Sequence, residues 1–145
     1  MSRVERGACF WGAIEAEAVG KPFGINWDHD QDCRKAIGSP MMIWIGYRSE
    51  QLICTAGQPK TFSKTRGVTR SFCGDCGSCI SYQDAGLPSE IYLCIAFMDA
   101  PERFEPSAHG NWEERLLFVE MSDRLPREAR YTRPRQPALG LPRDR

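Results

Sequence analysis

Short apolar runs alternate with turn residues along most of the chain, and this pattern predicts strands. Residues 41–48 and 91–97 are continuous apolar runs, which are typical of strands buried within a sheet. Residues 52–55 and 79–82 are shorter runs of the same kind. Because many short strands are separated by turn residues, the pattern predicts an all-β architecture.

Side chains alternate around the Arg66-Gly67 pair in the middle of the chain. Residues 61–64 lie before this pair and residues 68–73 lie after it. Two alternating runs joined by a short glycine-containing turn are typical of a hairpin. We therefore expect two antiparallel strands here.

Helical structure is expected to be scarce. Residues 32–37 can form one helical turn, with Asp32 as the N-cap and Gly38 as the residue that ends it. Residues 8–19 are predicted to be a strand, although their alanine and glutamate repeats also permit a helix. Residues 112–121 leave strand and helix open.

Length and composition indicate one domain followed by a tail. The chain has 145 residues, of which 41% are apolar, which is enough for one core. We assign residues 1–125 to the domain. Residues 126–145 hold six arginines, four prolines and two acidic residues, a composition that favours a flexible, solvated tail. The alternative is a weak phosphate-binding or acid-binding arm.

The overall charge and the length of the apolar runs exclude some classes of partner. The formal net charge is zero, so a surface built for nucleic acid is not expected. The longest apolar run, residues 91–98, is too short to cross a membrane, and no signal peptide is apparent. A cytoplasmic location is the expectation, and thiols stay reduced there. Seven cysteines then suggest metal or thiol chemistry before disulfides.

The strongest local motif is the segment Phe-Cys-Gly-Asp-Cys-Gly at residues 72–77. A C-x-x-C pair followed by glycine is a zinc-knuckle-type turn, which aims two sulfur atoms at one point. The alternative is a redox pair, which normally begins a helix beside a βαβ unit, and the pattern gives no such unit. Zinc takes four ligands, and Cys9 and Cys33 lie in two further segments of the chain, G-A-C-F-W-G-A-I at 7–14 and D-H-D-Q-D-C-R-K at 28–35.

Taken together, these segments resemble the glutathione-dependent formaldehyde-activating family, whose domain also occurs in centromere protein V. The resemblance runs in order from Gly7 to Pro126. The segments that carry it are G-A-C at 7–9, G-A-I at 12–14, His29, C-R-K-A-I-G-S-P at 33–40, G-V-T-R-S-F-C-G-D-C-G at 67–77, E-I-Y at 90–92, M-D at 98–99, His109 and D-R-L-P at 123–126.

The resemblance implies a fold and a chemistry. The fold is a mostly β structure called a β-tent, in which small antiparallel sheets join at a zinc site. The family's first, structural zinc is held by the opening cysteine pair and the knuckle. A second zinc is held by a C-H-C-x-x-C segment, and a glutathione-type thiol adduct binds there. The implied activity is that of a carbon–sulfur lyase.

This chain departs from the family pattern at ligand positions. Trp11 stands where the second cysteine of the opening pair is expected, and Asp28 and Asp30 stand at the first two cysteines of C-H-C-x-x-C. The surviving metal-ligand candidates are Cys9, Cys73, Cys76 and Cys33. The candidate catalytic residues are Cys33, Asp28 and Asp30.

The first metal site has two interpretations. Cys9, Cys73 and Cys76 could hold zinc with water or Cys79 as the fourth ligand. In the other interpretation Trp11, whose indole cannot ligate a metal, fills the space by apolar packing and excludes the ion. The cysteines would then be small buried apolar residues, as we also expect for Cys54 and Cys94 in their apolar strands.

The second site has three interpretations. Asp28, Asp30 and Cys33 could bind zinc and leave a position open. Without metal, Cys33 would be the candidate nucleophile. Its pKa would then be raised by the neighbouring aspartates and lowered by Arg34, Lys35 and the helix N-terminus. The remaining interpretation is a solvated loop with a helix cap.

Two functions follow from these alternatives. The first is a carbon–sulfur lyase that acts on a small-molecule thiol or thiol–aldehyde adduct at zinc. The second is a binding or scaffold module of the same fold that has lost one or both zinc sites. A metal-free thiol enzyme using Cys33 is a third possibility. His29 is expected to lie beside the ligand residues or at the surface, and His109 is expected to serve in packing or hydrogen bonding.

Overall fold

The computed structural model describes residues 2–133, and this part of the chain is mostly β. It contains one α-helix, α1 (Gln31–Ile37), and short 3-10 turns. Its strands are β1 (Val4–Ala8), β2 (Glu15–Val19), β3 (Gly24–Asp28), β4 (Met42–Arg48), β5 (Leu52–Ala56), β6 (Lys60–Phe62), β7 (Val68–Phe72), β8 (Cys79–Asp84), β9 (Glu90–Cys94) and β10 (Ala108–Gly110).

Two sheets form from these strands. The smaller has the order β1-β2-β5, and the larger has the order β10-β3-β4-β9-β8-β7-β6. Neighbouring strands pair antiparallel, except that β10 pairs parallel with β3 at the edge of the larger sheet. The mostly β prediction with small antiparallel sheets is therefore confirmed, and the parallel edge pair is an addition to it.

The apolar runs account for the centre of the larger sheet. The adjacent strands β4 and β9 are buried along almost their whole length. Ile45, Tyr47 and Leu93 are among the most buried side chains and belong to the main core. A second, smaller core contains Cys33 and Trp44, so α1 packs on this sheet. Strands buried on both faces read as continuous apolar sequence, which is the pattern that predicted them.

Several local predictions are wrong in detail. Residues 8–19 are neither one strand nor a helix, because the chain turns between β1 and β2 through Gly12, whose φ of +86° favours glycine. The 91–97 strand ends at Cys94, and a 3-10 turn continues to Phe97. Within residues 112–121, only Trp112–Glu114 is regular, and it is a 3-10 turn.

The N-cap of the helix lies two residues earlier than predicted. Asp30, and not Asp32, is the N-cap, since its carboxylate accepts the Cys33 N–H at 2.9 Å. Asp32 instead lies in the first turn and pairs with Lys64 at 3.0 Å. Gly38 ends the helix in the left-handed conformation, with φ of +77°, as predicted.

The first part of the predicted tail contacts the domain. Arg127 pairs with Asp123 at 2.9 Å, and its backbone forms a β-bridge with His109. Arg133 forms an ion pair with Glu90 and lies 4.6 Å from the centre of the Phe23 ring. Residues 134–145 lie outside the described part of the chain, so the domain boundary at 125/126 and the flexible tail stay predictions.

No helix among residues 2–133 combines the length and the apolar character needed to cross a membrane.

Candidate functional site

Three cysteines meet where the turn after β1 lies against the turn between β7 and β8. The sulfur atoms of Cys9, Cys73 and Cys76, which we call the cysteine cluster, all lie within 4.8 Å of one another. Cys9 and Cys73 are buried, and Cys76 is half-buried. Among residues 2–133 no further His, Cys, Asp or Glu joins this group. The structure thus brings together the three cysteines that the sequence assigned to the first metal site.

The knuckle turn is shaped by its backbone. The Cys73 N–H donates to the Ser78 carbonyl at 2.9 Å, and the Gly77 N–H donates to the Cys73 carbonyl at 2.8 Å. Gly77 has φ of +77°, a conformation in which glycine is favoured. The Lys60 side chain lies against Gly74, so closely that a Cβ at this glycine would meet it at 2.7 Å. These glycines explain the C-G-D-C-G composition of the turn.

Each sulfur of the cluster accepts hydrogen bonds from backbone N–H groups. The donors are Ile14 to Cys9, Asp75 and Cys76 to Cys73, and Trp11 and Ser78 to Cys76. Such donors stabilise negative charge on sulfur and are typical of thiolate–metal sites. Hydrogen bonds from the Ser78 hydroxyl and the Ser78 N–H lower the pKa of Cys76 to about 6.

The Trp11 interpretation is wrong, because the indole does not fill the cluster. Trp11 is 74% exposed, and the neighbouring Phe10 is 94% exposed. The Cys79 interpretation also finds no support in the geometry. Cys79 packs with the smaller core and shares a hydrogen bond with Cys94, which lowers the pKa of Cys94 to about 7. Neither residue supplies a fourth ligand.

Two buried thiols and one half-buried thiol with nearby N–H donors fit a zinc ion. Thiolate sulfur is a preferred zinc ligand, and the donors offset the charge that three thiolates bring. Bound there, zinc would join the segment after β1 to the β7–β8 turn.

Cys33, Asp28 and Asp30 lie elsewhere, at a cleft over the larger sheet. The cleft has a volume of about 560 Å³, and all three residues line it. Asp28 ends β3, Asp30 caps α1, and Cys33 lies in the first turn of α1. The structure therefore brings these three residues together around one cavity, separate from the cysteine cluster.

Hydrogen bonds fix the Asp28 carboxylate. One oxygen accepts the Trp44 Nε1–H at 2.9 Å, and the other accepts the Asn111 Nδ2–H and the Asp30 N–H, both at 3.0 Å. Asp28 is buried, so these bonds compensate for its loss of water. Both oxygens are thereby committed to protein donors.

Arg70 faces Cys33 across the cleft. Its Nη1 and Nη2 atoms each donate to the Cys33 sulfur at 3.5 Å, and its guanidinium lies 5.1 Å from the centre of the Tyr82 ring. The predicted cations, Arg34 and Lys35, do not take this place: Arg34 donates to the carbonyls of His29 and Glu114. Residues 2–133 hold no second group of three metal donors around Cys33.

Burial raises the pKa of the Cys33 thiol well above its ordinary value, and Asp28 adds to this rise, while Arg70 opposes it. These effects favour the neutral thiol over the thiolate at Cys33. Because thiolate is the nucleophilic form, this environment does not favour the metal-free thiol enzyme.

A buried histidine pair lies beside the cleft. His29 Nε2 lies 2.9 Å from His109 Nδ1, and His109 Nε2 lies 3.1 Å from the Asp123 carboxylate. Both rings contact Trp112. Burial lowers the pKa of His29 to about 4, and the nearby His109 adds to this effect. The packing and hydrogen-bonding role expected of His109 matches these contacts, whereas His29 is buried and the surface position expected for it as one alternative is wrong.

Three contributors were missed from the sequence, and one expected core residue is not in the core. Arg70, Asn111 and Ser78 were not singled out. The period-two alternation of β7 could have found Arg70, since Val68 and Arg70 both line the cleft. Cys94 is buried as expected, whereas Cys54 is exposed because β5 lies at the edge of the smaller sheet.

Comparisons with known proteins agree with this fold. The family model described as "Glutathione-dependent formaldehyde-activating enzyme" matches residues 4–114. The structure resembles the crystal structure of a Rhodobacter sphaeroides protein, a structural-genomics target, with a TM-score of 0.54 and 21% sequence identity, covering 70% of this chain and 96% of that chain. At that identity the likeness shows the fold alone. No curated protein matches the chain.

Proposed function

The chain belongs to the glutathione-dependent formaldehyde-activating enzyme family, and on that premise we propose that it is a one-zinc member whose cleft binds a small charged molecule. The zinc is held by Cys9, Cys73 and Cys76. Its contribution is structural, because it joins segments from both ends of the β1–β8 region. The cleft binds its ligand through side chains and without a second zinc.

The observation that carries this proposal is that the cleft atoms that could ligate a metal already accept hydrogen bonds from the protein. Both Asp28 oxygens accept N–H groups, and an Arg70 cation lies against the Cys33 sulfur. A divalent cation at Cys33 would face this guanidinium and compete with Trp44 and Asn111 for Asp28. Asp28 and Asp30, which stand where the family has cysteines, thus form a network of hydrogen bonds in place of a second metal site.

The lining of the cleft favours a small ligand that carries charge. Aromatic rings from Trp44, Tyr82 and Tyr92 form an apolar floor. Basic side chains from Lys64 and Arg70 lie at the same cavity as carboxylates. A cleft with convergent polar groups on an aromatic floor is typical of small-molecule sites. A cytoplasmic location, where thiols stay reduced, is part of the proposal.

The second candidate is the carbon–sulfur lyase that acts on a glutathione-type thiol or thiol–aldehyde adduct. The observation in its favour is that Asp28, Asp30 and Cys33 share one wall of the cleft. In that case a zinc with mixed oxygen and sulfur ligands would polarise the adduct.

Elemental analysis of the purified full chain separates the two candidates. We expect one zinc per chain in the wild type and in Cys33→Ser, and none in Cys73→Ser. Two zinc per chain, with one lost in Cys33→Ser, would support the lyase. Absence of zinc from the wild type would overturn the structural-zinc proposal.

An activity assay complements the metal count. Formaldehyde and reduced glutathione are mixed with the zinc-loaded chain, and formation and conversion of the adduct are followed by NMR. We expect no acceleration over the buffer rate. Acceleration that disappears in both Cys33→Ser and Asp28→Asn would favour the lyase.

A further inference from the structure

The cysteine cluster offers three protein ligands to an ion that takes four. Cys9, Cys73 and Cys76 have sulfur atoms within 4.8 Å of one another, and no other His, Cys, Asp or Glu of residues 2–133 belongs to the group. Zinc sites with four protein ligands are closed, whereas sites with three keep a position for another molecule. The cluster is therefore of the open kind.

The residues beside the cluster leave its fourth position unfilled. Trp11 sends its backbone N–H to the Cys76 sulfur, yet its indole is 74% exposed. Phe10, on the same turn, is 94% exposed. The two largest side chains of the turn thus lie mostly in solvent.

The Ser78 hydroxyl oxygen lies beside the cluster, and its hydrogen bonds give it another role. Its Oγ accepts the Phe10 N–H at 2.9 Å and lies 3.2 Å from the Cys76 sulfur. With the Phe10 N–H directed at this oxygen, the hydroxyl proton is the group that points to Cys76. Ser78 is therefore a donor to a thiolate and a positioning residue for it.

The donors around the cluster suit a site rich in negative charge. Five backbone N–H groups and the Ser78 hydroxyl point at three sulfurs. The Lys60 side chain lies along Gly74 and brings a cation to the knuckle. Hydrogen-bond donors and cations stabilise thiolate charge, so this environment tolerates an additional anionic sulfur.

We propose that the fourth position of the cysteine cluster binds a thiolate from outside the chain, supplied by a small thiol. This inference rests on the single zinc of the proposed function and is independent of what the cleft binds. With zinc held by Cys9, Cys73 and Cys76, an incoming thiol would lose its proton to solvent and its sulfur would serve as the fourth ligand, with no electron transferred. The ligand class is a small thiol, since sulfur is the donor that matches the three already present.

Cobalt substitution measures the number of thiolates directly. The full chain is loaded anaerobically with Co²⁺ in place of zinc, and the thiolate-to-cobalt charge-transfer absorption is recorded while reduced glutathione is added. We expect the absorption to rise by roughly one third, because a fourth thiolate joins three. S-Methylglutathione has the same charges without a free thiol and should leave the spectrum unchanged.

Two variants at one exposed position make the matched comparison. Trp11→Cys places a thiol beside Cys76, so its cobalt spectrum should begin at the four-thiolate intensity and should not respond to glutathione. Trp11→Ala offers no ligand and should respond as the wild type does. Because Trp11 is exposed, both variants are expected to fold.

The outcomes separate this inference from the proposed function. A wild-type spectrum that glutathione does not change, or that it abolishes by stripping the metal, overturns the thiol site and leaves the one-zinc proposal intact. A Trp11→Cys variant that responds as strongly as the wild type also overturns it. Failure of the cluster to bind Co²⁺ or zinc overturns both.

Discussion

The chain holds cysteine in two polar environments that differ in the origin of their hydrogen-bond donors. At the cysteine cluster the sulfurs accept backbone N–H groups, whose directions are set by the turns after β1 and β7. At the cleft, Cys33 and Asp28 meet side chains, chiefly Arg70, Trp44 and Asn111. A backbone N–H donor remains when the side chain of its residue is substituted, whereas a side-chain donor is lost in the substitution.

The thiol pKa values follow this difference. Hydrogen bonds from Ser78 lower the pKa of Cys76 to about 6. Burial and the Asp28 carboxylate raise the pKa of Cys33 well above its ordinary value. One region thus favours thiolate and could hold a metal, and the other favours a neutral thiol. With Trp11 at the position of the family's fourth ligand, the first region still has three cysteines that could hold an ion. In the second region, aspartates at two ligand positions change the chemistry.

The largest expected effect is loss of the cluster through Cys73→Ser. At free zinc about a thousand-fold above its dissociation constant, binding adds about 4 kcal/mol to the free energy of unfolding. Cys73→Ser should therefore lower that free energy by about 4 kcal/mol or more, and a chelator should have a similar effect on the wild type. Urea denaturation with and without chelator measures both.

Cys33→Ser is the matched control for that prediction. It also replaces one buried sulfur by oxygen, and it should leave the chelator-dependent part of the stability unchanged. If Cys33→Ser abolishes the chelator effect, the cleft holds the stabilising metal and the contrast between the two regions is wrong.

A smaller effect is expected from Asp28→Ala in the cleft. The substitution leaves the Trp44 and Asn111 N–H groups without their acceptor, which should cost about 2 kcal/mol of unfolding free energy. Asp32→Ala removes a more exposed carboxylate from its pair with Lys64 and should change stability by less than about 0.5 kcal/mol. Zinc content should stay the same in both variants, and its loss in Asp28→Ala would contradict a metal-free cleft.

A further effect concerns acid stability beside the cleft. The pKa of His29 falls from an ordinary value of 6.5 to about 4 in the folded chain. The unfolded chain therefore binds the proton first, so this contribution is complete above pH 6.5 and is lost as pH falls through 4. A pKa difference of about 2.5 corresponds to a loss on the order of 3 kcal/mol.

The variant His29→Gln isolates this contribution, since glutamine can still donate to His109. Unfolding free energies of wild type and variant are compared from pH 7 to pH 4. The difference between them should shrink as the pH falls, and effects of acid on the cysteine cluster cancel in it. A constant difference would show that His29 does not titrate in this range.

The strands and the cluster were accessible from the sequence, for local reasons. Continuous apolar runs predicted β4 and β9, because strands buried on both faces leave no room for polar residues. The C-x-x-C-G spacing predicted the knuckle, since a turn of that length fixes where two sulfurs point. Cys9 was added by resemblance, and the geometry agrees with it.

The cleft could be predicted only in part, because its partners come from distant strands. The aspartates and Cys33 are neighbours in sequence, so their shared location could be expected. Arg70 comes from β7 and Asn111 follows β10, and nothing local indicates that they reach Cys33 and Asp28. Apolar character was a poor guide to burial at Trp11 and Cys54. It predicted packing, whereas a turn places Trp11 in solvent and the edge of the smaller sheet places Cys54 there.

The parallel pairing of β10 with β3 also sets an order on biosynthesis. The strand that flanks Asp28 emerges from the ribosome long before residue 108, its partner, has been translated. All three cysteines of the cluster have been translated by residue 77, so they can come together in a nascent chain before β10 has been made. Chains truncated between these points would contain the three cysteines of the cluster and lack the β10 edge of the larger sheet.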